Sequence, residues 1–125
     1  MAHGLSRIVL RLGRNPAAGF PDGDDHHGYV VVAPLDADGR LNAEVWRARK
    51  VECTVRRFHS KEEPADGFLR RRGESWYFWY DEADEGPAEP IFKLGDHRFA
   101  LGEYCTVREG ADVALTFRVA EVVAI

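Results

Sequence analysis

Three aspartates and two histidines crowd into FPDGDDHHGY, residues 20–29. Carboxylates and imidazoles are common metal ligands in proteins. A calcium loop needs oxygen ligands at alternate positions and a Glu at the twelfth, but His26 is a poor calcium ligand and the twelfth residue counted from Asp22 is Ala33. His26 and His27 are adjacent, so in an extended chain they point to opposite sides. The segment therefore predicts no metal site.

We interpret residues 14–27 as an exposed loop, because Gly, Pro, Asn and Asp are dense there and disfavour regular structure. Four polar residues at its end should be replaceable together at little cost in stability, namely Asp24, Asp25, His26 and His27. One alternative is a metal site, which would need a further ligand from His3, His59 or His97, and the sequence places none of these nearby. The other is a ligand pocket that contains a histidine.

A second segment, LRRRGESWYFWY at residues 69–80, joins three arginines to the most β-prone run of the chain. In a strand, Tyr77 and Trp79 would face one side, and the aromatic residues at 76, 78 and 80 the other. Either the strand is buried on both faces, or one face meets a covering element or a partner. The candidate binding residues are Arg70, Arg71, Arg72, Tyr77 and Trp79.

The charge distribution bears on what such a surface would bind. Residues 40–80 hold ten Lys and Arg against six Asp and Glu, whereas residues 81–125 hold four against ten. The net charge of −4 and the lack of an RNA-recognition motif disfavour nucleic acid, because phosphate attraction supplies most of such binding. We therefore expect a protein or peptide partner. The rival interpretation is a solvated basic face, neutralised within the protein by the acidic segment 81–89.

The residues for catalysis are few. No serine lies in a GxSxG elbow, and His59, Ser60 and Glu62 lack the arrangement of a catalytic triad. The glycine-rich stretches lack the GK[ST] sequence of a phosphate-binding loop, so we expect no cofactor. The sequence favours a non-enzymatic binding module. The alternative is a small-molecule-binding barrel, with or without enzymatic activity, whose polar mouth contains Arg56, His59 and Arg71.

The two cysteines and the N-terminal segment indicate the cellular setting. Cys53 and Cys105 lie in strand-like segments without a CxxC motif, which predicts buried free thiols. No apolar run is long enough to span a membrane, and Arg7 and Arg11 interrupt the N-terminal apolar run, so we expect no signal peptide. We predict a cytoplasmic protein with one domain over residues 1–125, a common domain size.

The elements that would position these residues are mostly strands. Apolar residues alternate in many short runs, which predicts a mainly β fold, a small antiparallel barrel or sandwich of about eight short strands with one short α-helix. The last two runs should form the closing hairpin of such a sheet. The helix is expected near residues 42–50, with Asn42 as N-cap and Trp46 or Val45 packed on the sheet. The predicted core is Ile8, Leu10, Val31, Val55, Phe78, Val107, Phe117 and Val119.

Overall fold

The computed structural model describes residues 4–59, 62–73, 75–79, 92–94, 98–109 and 114–125. In this part of the chain, strands are the main regular structure, accompanied by one short α-helix and two 3-10 turns. The predicted mainly β class with one short helix is therefore confirmed. The elements are β1 (Ser6–Leu12), β2 (Asp24–Ala33), α1 (Ala43–Ala48), β3 (Thr54–His59), β4 (Glu62–Arg72), β5 (Ser75–Trp79), β6 (Phe92–Leu94), β7 (Tyr104–Glu109) and β8 (Ala114–Ala124).

The strands form a closed antiparallel barrel. Each strand pairs with the next one along the chain, and β8 pairs with β1 to complete the circle. Antiparallel neighbours can be joined by short turns, so the sheet needs no helical crossovers. Of the two predicted architectures, the barrel is the one that forms. β7 and β8 are the predicted closing hairpin, with Cys105 opposite Phe117.

Apolar side chains from alternate strand positions fill the inside of the barrel. The Tyr29 ring centroid lies 4.8 Å from that of Phe78 and 5.3 Å from that of Phe117, and all three residues are buried. An eight-stranded barrel is just wide enough for side chains to fill it, and aromatic pairs add about 0.5–1.5 kcal/mol beyond their buried area. The predicted core is confirmed in full, because its eight members are all buried: Ile8, Leu10, Val31, Val55, Phe78, Val107, Phe117 and Val119.

The helix α1 covers one end of the barrel. The Asn42 side chain accepts a hydrogen bond from the Val45 backbone N–H at 3.0 Å, which confirms the predicted N-cap. Trp46 is buried, donates from Nε1 to the Leu69 carbonyl at 2.9 Å and packs edge-on against Trp76. A helix this short depends on such packing. No helix in the described residues is both long and apolar enough to cross a membrane.

The predicted exposed loop at residues 14–27 is wrong from Asp24 onward, where β2 begins. Arg11 lies opposite Gly28 and Leu12 opposite Asp24, so residues 25–27 form a bulge in β2. The Asp24 carboxylate accepts a hydrogen bond from the His26 backbone N–H at 2.9 Å within this bulge. The polar composition of the segment suggested a loop, but its register on β1 makes it a strand.

His27 is the second correction in this segment. It is 3% exposed, because it follows the same inward alternation as Tyr29 and points into the barrel. The expectation that Asp24, Asp25, His26 and His27 are replaceable together is therefore wrong for His27. His26 is exposed, so the prediction that the two adjacent histidines point to opposite sides is confirmed.

Gly28 is required by the close approach of β2 to its neighbours. A Cβ at this position would overlap the Leu10 carbonyl oxygen and would lie 2.8 Å from the Phe58 ring. We expect Gly28→Ala to lower the free energy of unfolding by on the order of 3 kcal/mol, measured by urea denaturation. Gly4→Ala is the control, because its Cβ would meet nothing closer than 3.9 Å. Equal stability of the two variants would contradict the register of β2.

Candidate functional site

The outer side of β4 and β5 carries three of the five predicted binding residues. Arg70 lies opposite Tyr77, and Phe68 lies opposite Trp79 on the neighbouring pair. These four side chains are half-buried and point away from the core, because strand alternation turns Trp76 and Phe78 inward. We name the surface formed by Phe68, Arg70, Tyr77 and Trp79 the Arg70 face.

The guanidinium of Arg70 is held by two aromatic rings. It lies 5.4 Å from the ring centroid of Phe68 and 5.1 Å from that of Trp79. Cation–π contacts at accessible sites contribute about 0.5–1 kcal/mol each and restrict the arginine to one region of the surface. The result is a positive charge at a defined position next to two aromatic rings.

Of the other two predicted arginines, Arg71 does not join this face. Arg71 is one residue further along β4, so its side chain turns to the other side, where its guanidinium lies 4.9 Å from the Trp76 ring centroid. Its Nε donates to the Gly73 carbonyl at 3.0 Å. The side chain of Arg72 and the acidic segment 81–89 lie outside the described residues.

The polar mouth proposed from Arg56, His59 and Arg71 does not form. Arg56 lies on the outside of β3, where its Nη1 is 2.9 Å from an Asp66 carboxylate oxygen. The register of β3 on β4 places His59 opposite Glu62, so His59 and Arg71 lie towards opposite ends of β4. Alternation and register together separate the three residues.

A different pair of residues meets at the end of the barrel opposite α1, where β2 begins and β3 ends. We name this end the mouth. The ring centroids of His27 and His59 are 4.4 Å apart, with a tilt of 50° between the planes. The rings of Phe20 and Phe117 are T-shaped to that of His27, at centroid distances of 6.0 and 5.6 Å. His59 keeps part of its surface accessible, so the mouth combines buried and accessible imidazoles.

Asn15 holds the loop that brings Phe20 to the mouth. Its Nδ2 donates to the carbonyls of Gly13 and Thr116 at 2.9 and 3.0 Å, and its Oδ1 accepts from the Thr116 N–H at 3.0 Å. The backbone of Asn15 also bonds to that of Phe20 in both directions. One side chain thus links the loop between β1 and β2 to β8.

Sequence reasoning missed the pair of His27 and His59. Gly28 lies opposite Phe58 and Tyr29 opposite Arg57, and the same register places His27 beside His59. The alternation of residues along β3 indicates that the side chains of Val55, Arg57 and His59 lie on one side of the sheet. The sequence does not indicate that β2 pairs with β3. Ser60, considered with His59 for catalysis, lies outside the described residues.

A metal site needs more ligands than this pair supplies. Among the described residues, no group of three or more His, Cys, Asp or Glu side chains converges. His3 and His97, considered as further ligands, lie outside them. Two imidazoles alone make an incomplete zinc site, because structural and catalytic zinc sites use three or four protein ligands.

Both cysteines are buried free thiols, as predicted. Burial raises the pKa of the Cys53 thiol to about 11 and that of Cys105 to about 12. The thiolate is the reactive form, so both residues are unreactive near neutral pH. Cys53 also donates weakly from Sγ to the Arg49 carbonyl at 3.4 Å. The two cysteines therefore act as core residues.

Comparisons of the chain with protein-family models, with curated proteins and with solved structures gave no match.

Replacing each histidine of the bulge by alanine should separate their roles. We expect His26→Ala to change the free energy of unfolding by no more than about 0.5 kcal/mol, since its side chain is exposed. His27→Ala should cost about 2 kcal/mol, since it removes a buried ring from contact with Phe117 and His59. Urea denaturation measures both, and similar losses would show that His27 is not inside the barrel.

The buried thiols predict a reactivity and a pH dependence. At pH about 8 the native protein should react with Ellman's reagent only on unfolding. An unfolded thiol ionises near pH 8.5, roughly, whereas the folded pKa values are higher, so stability should fall as the pH rises from there towards 11 or 12. The double variant C53A/C105A should show a smaller alkaline loss. Rapid labelling of either thiol in the native protein would contradict the assignment.

Proposed function

We propose that the protein is a non-enzymatic binding module that docks a protein or peptide on the Arg70 face. The observation that carries this proposal is the Arg70 guanidinium, which lies over the rings of both Phe68 and Trp79 while all three side chains remain partly accessible. Aromatic residues and arginine dominate the binding energy of many protein interfaces, because they offer large contact area and directed hydrogen bonds.

The chemistry of this face indicates its partner. A guanidinium stacked on aromatic rings still presents N–H groups at its edge, and these match the two oxygens of a carboxylate. The two rings next to it offer apolar contact area. The surrounding segment, residues 40–80, carries an excess of four positive charges from ten basic and six acidic residues. The partner we propose is therefore a peptide segment with an Asp or Glu next to an apolar or aromatic side chain.

The filled centre of the barrel favours this proposal over a barrel that binds a ligand in an internal cavity. Tyr29, Phe78 and Phe117 are buried inside the barrel, and the ring of Tyr29 contacts both of the others. A ligand barrel keeps a cavity of about 300 Å³ or more at such a position. A non-enzymatic module needs no such cavity, and its binding surface lies outside the sheet.

We also propose a cytoplasmic setting. Its support is the two free cysteines, Cys53 and Cys105. Cytoplasmic proteins keep thiols reduced, whereas secreted domains of this size often use their cysteines in disulfides.

A random peptide library displayed on phage and selected on the immobilised full chain tests the proposed partner. We expect the selected peptides to be enriched in Asp or Glu beside apolar residues. A synthetic peptide from the selection should bind at least about tenfold more weakly to Arg70→Gln and to Trp79→Ala, measured by fluorescence polarisation. Arg70→Lys keeps the charge without the forked donors and should fall between the wild type and Arg70→Gln.

Tyr104 and Arg118 supply a matched control. They are an exposed tyrosine and arginine directly opposite each other on β7 and β8. Tyr104→Ala and Arg118→Gln should leave the affinity within about twofold. An equal loss in these variants, or a selection with no dependence on Arg70, would reject the proposal. So would saturable binding of a single-stranded oligonucleotide that weakens by roughly one log unit per log unit of salt for each phosphate contacted.

A further inference from the structure

A cleft lies on the outer side of the barrel, where β7 and β8 meet the segment from the end of β1 to the start of β2. Its volume is about 550 Å³, within the range of about 300–1,000 Å³ that is usual for small-molecule sites. The lining residues that can recognise a ligand are Arg14, Asp22, Asp25, Tyr104 and Arg118. We name this site the Arg118 cleft.

The sheet contributes an aromatic ring and a guanidinium to the cleft. Tyr104 on β7 lies directly opposite Arg118 on β8. Phe117 and Val119 are both buried, so strand alternation points Arg118 outward. Tyr104 is 56% exposed, and its ring lies beside Gly13, where a Cβ would be 3.7 Å from the Tyr104 Cε1 atom. The ring is therefore accessible to a ligand and packed against the backbone.

The segment before β2 contributes the two carboxylates. At Gly23, φ is +78° and a Cβ would lie 2.5 Å from the Leu12 carbonyl oxygen, so only glycine permits this approach to β1. Asp22 and Asp25 lie on either side of this contact and line the cleft. The Asn15 side chain links the same segment to β8 by three hydrogen bonds. A ligand therefore does not need to order this wall of the cleft.

Four charged side chains line the cleft, two of each sign, and all four are exposed. In the part of the chain that the structure describes, no ion pair joins Arg14 or Arg118 to Asp22 or Asp25. Their guanidinium N–H groups and carboxylate oxygens also take part in no hydrogen bond there. Donors and acceptors of opposite charge thus face one cleft without pairing with each other.

We propose that the Arg118 cleft binds a small zwitterion, an amino acid or a dipeptide with an aromatic side chain. Guanidinium groups match the two oxygens of the ligand carboxylate, and the aspartates accept hydrogen bonds from its ammonium group. The Tyr104 ring offers contact area to an aromatic side chain.

The balance of charges favours a zwitterion over a simple ion. The two guanidiniums and two carboxylates sum to zero, so a ligand with both charges and no net charge complements the set. A phosphate or other anion would also meet Asp22 and Asp25, and a metal cation would also meet Arg14 and Arg118, which cannot act as metal ligands.

A titration of the isotope-labelled full chain with L-phenylalanine, and with two analogues that each lack one charge, tests the ligand class. The analogues are hydrocinnamate, which lacks the ammonium group, and phenethylamine, which lacks the carboxylate. We expect L-phenylalanine to shift the backbone amide NMR signals of Gly13, Thr116 and Arg118 in a saturable way, with a Kd on the order of 1 mM. Each analogue should bind at least about fivefold more weakly. Glycyl-L-phenylalanine, titrated in the same way, distinguishes a dipeptide ligand from an amino acid.

Two double variants separate the roles of the charges. R14Q/R118Q should weaken L-phenylalanine at least about fivefold and leave phenethylamine unchanged or more tightly bound. D22N/D25N should weaken L-phenylalanine by a similar factor and leave hydrocinnamate unchanged or more tightly bound. All four side chains are exposed, so we expect both variants to fold. Equal weakening of all three ligands in both variants would contradict the proposed recognition.

Arg108→Gln and Glu44→Gln are the matched controls, because both side chains are exposed and lie outside the cleft. Each should keep the affinity for L-phenylalanine within about twofold. Tyr104→Ala should weaken L-phenylalanine about fivefold, whereas Tyr104→Phe keeps the ring and should stay within about twofold. Equal losses in control and cleft variants, an analogue bound as tightly as L-phenylalanine, or no saturable shift with either zwitterion would overturn the inference.

This inference is independent of the proposed peptide surface. The cleft uses β7 and β8, whereas the Arg70 face uses β4 and β5. Arg70→Gln should therefore leave the affinity for L-phenylalanine within about twofold, while Arg118→Gln weakens it and keeps the peptide affinity. The two proposals can fail separately.

Discussion

The pairing of β8 with β1 is the contact on which the arrangement of every site depends. It closes the sheet, so each strand residue faces either the filled interior or the solvent, and a shift of one residue would exchange the two sets. The contacts of Tyr29 with Phe78 and Phe117 oppose such a shift, because it would move buried rings to the surface. Closure thus assigns Arg56 to the outside and Arg57 to the inside of the same strand.

Much of this fold follows from local side-chain pattern. Alternating apolar residues predicted the antiparallel sheet and eight of its buried core residues, because burial of a side chain on the inner side is favourable when that side chain is apolar. The helix α1 followed from Asn42 and Trp46, whose capping and packing act within a few residues of sequence. On β5 the pattern predicted that Tyr77 and Trp79 share a side, and left open whether that side is buried.

The parts that could not be predicted depend on register between strands. The bulge at residues 25–27 and the contact of His27 with His59 arise from the pairing of β2 with β1 and β3, which leaves no mark in either segment alone. The prediction that Arg56, His59 and Arg71 form a polar mouth was wrong for the same reason. Register instead produces two separate polar regions, one outside around Arg70 and one inside at the mouth.

Side-chain exposure along β2 to β5 is the most direct test of this assignment of inside and outside. Paramagnetic broadening of side-chain NMR signals by a soluble gadolinium chelate reports exposure residue by residue. We expect strong broadening for His26 and Arg56, weaker but clear broadening for Trp79, and protection of His27 and Trp76. Equal broadening of the two histidines, or protection of Trp79 equal to that of Trp76, would contradict this assignment.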